Sequence, residues 1–165
     1  MDLAEWVPFF TAAAGASAAL VGLLIVAMSV NVEAIVATTT LPSRAGATIA
    51  ELAVIVVASV LALIPHLAVG WLAVILIVAS LIGLGFGLDS TVRMIRHRRD
   101  PELGPVVSVV VRAVVGPLPV ALTTIAGVLV LVDPAAGLVL TAVGFGLIFV
   151  NSVLNAWVLL IEIRR

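Results

Sequence analysis

Long apolar runs, broken at a few polar or turn-forming points, set the pattern of this chain. Val7 to Val32 carries no charged residue, which is enough for one spanning helix, since a crossing needs about 20 apolar residues. The next run, Ala45 to Leu88, is too long for a single crossing and is interrupted only by Glu51 and by Pro65-His66. Proline breaks a helix interior, so "LIPHLAVGW" predicts a turn, with helices over 45–64 and 67–88 on either side. A fourth helix is predicted from Pro105, a residue suited to a first helical turn, to Val132. "DPAAG" at 133–137 reads as a tight turn, and a fifth helix follows over 137–161. The expected fold is therefore all-α, a polytopic transmembrane bundle of five spanning helices in a single domain, 1–165. No internal repeat is visible, and no loop is long enough to hold a second domain.

Composition strengthens this picture. Hydrophobic residues make up 64% of the chain and charged residues 10%, against about 25% charged in soluble domains. Too few polar side chains remain to cover a soluble core. A lipid-facing exterior removes that need.

Charge then adds an orientation. The eight basic residues are all Arg. Five crossings place Arg44, the cluster Arg93, Arg96, Arg98 and Arg99, Arg112, and Arg164 and Arg165 on one side. Asp2, Glu5, His66 and Asp133 fall on the other. The positive-inside rule orients such a chain N-out and C-in, with Arg93, Arg96, Arg98 and Arg99 as the cytoplasmic anchor. Trp6 and Trp71 are expected at the outer interface and Trp157 at the inner one, as an aromatic belt requires. "MDLAEWVPFF" has no basic leader region, so the first hydrophobic stretch is expected to be retained. Heavy use of Ala, Val, Gly and Arg without Lys suggests a GC-rich bacterial genome, and so a bacterial inner membrane.

Ionisable residues inside a bilayer are the first place to look for function. Counting about 20 residues back from Val132 puts the inner boundary near Ala113, so Arg112 sits at headgroup level and can snorkel. Glu51 admits three readings: a structural partner for Arg112, an interfacial carboxylate, or an ion or proton site. Asn151 and Asn155 are four apart and share a helical face. They read either as interhelical hydrogen-bonding groups or as the lining of a polar path. "GPLP" at 116–119 predicts a break in the fourth helix. Small residues recur every four positions in the first helix (Ala14, Ala18, Gly22; Thr11, Gly15, Ala19) and in the third (Ala79, Gly83, Gly87). Faces of this kind let backbones approach closely, within one chain or between copies.

Catalytic signals are absent from the sequence. There is no cysteine, no HExxH and no clustered set of acids. His66 and His97 belong to opposite faces under this topology. Ser17, Ser29, Ser59, Ser80 and Ser152 have no histidine nearby to activate them. The expectation is no enzyme, no cofactor and no metal.

"FFTAAAGASAALVGLLIVAMSV", with "LPSRA" following, resembles the beginning of small actinobacterial membrane proteins labelled as modulators of the FtsH protease. The resemblance covers the first two helices. It implies a non-conducting accessory subunit of a membrane protease or other complex. The residues by themselves favour a homo-oligomer enclosing a channel, lined by Asn151 and Asn155 with Glu51 near its cytoplasmic mouth. Expected partners are the lipid bilayer, further copies of the chain and a membrane-protein partner, with no nucleic acid.

Overall fold

The computed structural model describes residues 3–37, 41–96 and 115–161. Among these the chain is all-α, without strands. A 3-10 turn, Leu3–Trp6, leads into α1, Val7–Val30, with Pro8 in the first turn, where its missing N–H costs nothing. The helix ends at Val30, two residues before the predicted limit, with Asn31 as its cap. The Asn31 backbone N–H reaches the carbonyls of Ala27 and Met28, and its side-chain amide donates to Ala27 O at 2.9 Å. A short α2, Val32–Ala37, follows.

The second long helix, α3, spans Leu41–Ala62 and starts four residues earlier than the apolar pattern suggested. Pro42 suits a first turn, and Arg44, expected in a loop, is helical. Residues 63–68 form the predicted turn, where His66 takes a left-handed backbone with φ of 60°. α4 then runs over Val69–Arg96, two turns past the predicted end at Leu88. The basic cluster is therefore helical at its start. Asp89 and Arg93 pair one turn apart at 2.8 Å on the exposed side, while Ser90 and Met94 are buried on the other. An apolar run cannot reveal such a mixed extension.

"GPLP" breaks the chain where expected. Gly116 and Pro117 form a turn, and α5 covers Leu118–Val132, with Pro117 O accepting the Ala121 N–H at 3.0 Å. The predicted stretch from Pro105 to this break lies outside the described residues up to 114. "DPAAG" is not a multi-residue turn. Asp133 alone separates α5 from α6, Pro134–Ile161. Its N–H closes α5 on Leu129 O at 2.8 Å, and its Oδ1 caps α6 by accepting from Ala135 and Ala136 at 3.1 and 3.2 Å. Gly137 is required here, because a Cβ would lie 2.5 Å from the Val130 nitrogen.

Four helical stretches are long and apolar enough to cross a membrane: Leu3–Val30, Leu41–Ala62, Val69–Arg96 and Pro134–Trp157. Leu118–Val132 is a shorter apolar helix beside them. Neighbours in sequence pack side by side, α1 on α3, α3 on α4, α4 on α5 and α5 on α6, and α6 returns to touch α1 and α3. α3 is the most enclosed. The small faces divide between two uses. Gly83 abuts Val54 of α3 so closely that a Cβ would lie 2.7 Å from its methyl, and Gly87 faces Pro117. In α1, by contrast, nothing approaches Gly15 or Gly22.

Candidate functional site

One end of the bundle gathers the polar side chains. Arg44, Thr48 and Glu51 recur at helical spacing along α3, and Asn151 and Asn155 lie four apart on the facing side of α6. The two helices meet through these groups. Asn151 Nδ2 donates to Glu51 Oε2 at 3.0 Å. One turn away, Asn155 Nδ2 donates to Thr48 Oγ1 at 3.0 Å, and Thr48 Oγ1 donates to Arg44 O at 3.1 Å. Arg44 Nη2 reaches Asn155 Oδ1 at 3.4 Å. Both asparagines thus form interhelical hydrogen bonds within the chain.

Beside this ladder is a cavity of about 240 Å³, closed by the end of α4 and by the break before α5. Its lining includes Ser90 and Met94 from α4 and Gly116 and Pro117 from the break, together with Arg44, Glu51 and both asparagines. It has room and polar partners enough for water. Glu51 is 3% exposed and Ser90 6%. Glu51 Oε1 and Ser90 Oγ make no hydrogen bond among the described residues.

With α3 starting at Leu41 rather than Ala45, Glu51 is ten residues along the helix, about 15 Å at 1.5 Å per residue, and two helical turns beyond Arg44. The Glu51 partner here is Asn151; Arg112, the partner expected from sequence, lies outside the described residues. So do Arg98 and Arg99. Arg93 and Arg96 are exposed at the end of α4, with Arg93 paired to Asp89. Trp71 and Trp157 are largely exposed and Trp6 half-buried.

Three members of the site, Arg44, Thr48 and Ser90, are not among the candidates the sequence offers. Arg44 was counted only toward charge bias, although its spacing of four to Thr48 and seven to Glu51 marks one α3 face. Ser90 stood in a charged stretch read as a loop. Among the described residues, no group of His, Cys, Asp and Glu is arranged to hold a metal. Comparison with protein families, with curated proteins and with solved structures finds no match. The class is defined by the fold itself, an apolar bundle of helices suited to a membrane, with a polar cavity at its arginine-bearing end.

Proposed function

We propose that this is a bacterial inner-membrane protein that crosses the bilayer five times, N-out and C-in, and provides a permeation path through the Glu51 cavity. The fourth crossing in chain order is Leu118–Val132, the shorter apolar helix beside the four longer ones. Arg44, Arg93 and Arg96 mark the cytoplasmic end. One observation carries the reading: a carboxylate deep in an apolar bundle bonds a neutral amide and faces a cavity large enough for water. Charged groups in a bilayer are expensive, and they mark ion and proton pathways. The polar lining belongs to each protomer, because Asn151 and Asn155 face α3 of their own chain. Homo-oligomerisation then brings copies together through the open small-residue face of α1.

Reconstitution in liposomes tests this. Native protein is expected to pass Na+, K+ or protons, and Glu51→Gln to abolish that flux while folded helix content persists. A monomer in mild detergent with no flux of any of the three sinks the reading. A second reading is favoured by α1 itself, where open space lies beside Gly15 and Gly22. That face suits a partner helix, as an accessory or modulator subunit of a membrane protease or other complex requires. A defined complex without flux would select it.

A further inference from the structure

Resting on the permeation reading, the next step is to ask what the Glu51 cavity holds. Three helices each contribute one oxygen to it. Glu51 from α3 is almost fully buried, and its Oε1 receives no hydrogen bond from the described residues, because Asn151 serves only Oε2. Asn151 from α6 spends its Nδ2 on that bond, which fixes the amide and leaves Oδ1 as an acceptor. Ser90 from α4 is also buried, and its hydroxyl is unpaired among the described residues. All three residues line the same cavity. These oxygens are not sealed in protein, as the Ser59 and Ser152 hydroxyls are, but belong to residues that line the cavity, where a ligand can reach them.

The set is a carboxylate, an amide carbonyl and a hydroxyl. Such a set is acceptor-rich, hard and oxygen-only, the chemistry that alkali and alkaline-earth cations select. Charge decides between those two groups. Glu51 is the one acid in the described lining, and the Arg44 guanidinium belongs to the same lining, two helical turns nearer the start of α3 and held against Asn155. That positive charge opposes a divalent ion twice as strongly as a monovalent one. A single carboxylate balances one positive charge and no more. We infer that the cavity is a binding site for a small monovalent cation of Na+ size, coordinated by Glu51 Oε1, Asn151 Oδ1 and Ser90 Oγ.

The ion completes a chain of interactions that the protein leaves open. It offsets the charge of the Glu51 carboxylate in a low-dielectric surround, and it ties α3, α4 and α6 together at one end. Cation binding should therefore stabilise the fold.

The experiment is thermal unfolding of the full chain in mild detergent, with NaCl titrated against choline chloride at constant ionic strength. Native protein is expected to show a saturable rise in Tm with Na+ and none with choline. Ser90→Ala leaves the Glu51–Asn151 bond and the packing of the apolar helices in place. It is expected to weaken the apparent Na+ affinity about tenfold, the loss of one ligand worth roughly 1.4 kcal/mol. Glu51→Gln is expected to abolish the Na+ response, and if that variant does not fold, Ser90→Ala decides alone. Equal responses to Na+ and choline, or an unchanged Na+ response in Ser90→Ala, overturn the site. A Tm that follows pH but ignores Na+ also overturns it, in favour of a proton. Na+-specific stabilisation in a protein that passes no ion in liposomes leaves this site standing and removes the permeation reading. Flux without Na+-specific stabilisation does the reverse.

Discussion

The two ends of the bundle differ in how their helices are held together. At the end where α5 turns into α6, contacts are apolar and close. Phe145 is fully buried and stacks on Phe9 at 6.1 Å, and Phe9 meets Trp6 and Phe10 edge-on at 5.7 and 5.3 Å. Gly137 lets α6 touch the α5 backbone. At the arginine-bearing end the joints are hydrogen bonds: α3 meets α6 through Thr48, Glu51, Asn151 and Asn155, and a cavity remains beside them. In lipid, association comes from packing and polar bonds rather than from the hydrophobic effect. The apolar end therefore supplies most of the rigidity, and the polar end is free to carry chemistry at modest energetic cost.

Substitutions can break that contrast, beginning at the rigid end. Gly137→Leu places side-chain atoms where the Val130 backbone lies, and is expected to cost about 4 kcal/mol or more. Loss of a cooperative transition in detergent would register it. Phe145→Ala empties a fully buried site and is expected to cost about 3 kcal/mol, read as a lower midpoint in chemical unfolding. Asp133→Ala removes the cap on α6, an expected loss of about 1 kcal/mol, visible as a Tm shift.

The polar end should respond more weakly. A double-mutant cycle of Glu51→Gln and Asn151→Leu is expected to give a coupling of about 1 kcal/mol or less. Strictly additive losses would show that the 3.0 Å bond contributes nothing. Asp89→Ala, at an exposed pair, is expected to leave Tm unchanged within error; a clear loss would mean that the end of α4 is held more firmly than its exposure implies. If polar-end changes outweigh Phe145→Ala, the division of labour between the two ends is wrong.

Much of the architecture was legible because apolar run length reports helices directly. The turn at Pro65-His66 and the break at Gly116-Pro117 follow from proline alone. Boundaries were harder. The end of α4 carries charge on one side and buried Ser90 and Met94 on the other, so counting apolar residues stopped too early. α6 begins at Pro134 because one aspartate closes one helix and caps the next, a double role that "DPAAG" does not announce. At the site, Glu51, Asn151 and Asn155 stood out as polar residues in apolar surroundings. Their pairing did not, since it depends on the register between α3 and α6, about a hundred positions apart. Depth suggests Arg112 as a partner, a residue outside the described ones; the register between α3 and α6 brings Asn151 to Glu51. Ser90 gave no signal, because serine is tolerated inside helices without any ligand.

The single-residue joint at Asp133 bears on how the protein enters its membrane. With both helix ends tied to one aspartate, α5 and α6 have no slack in which to be threaded separately. In the proposed five-crossing arrangement the two are expected to insert together as a hairpin, so a stop codon placed soon after Asp133 should leave α5 without its scaffold and exposed to quality-control proteolysis.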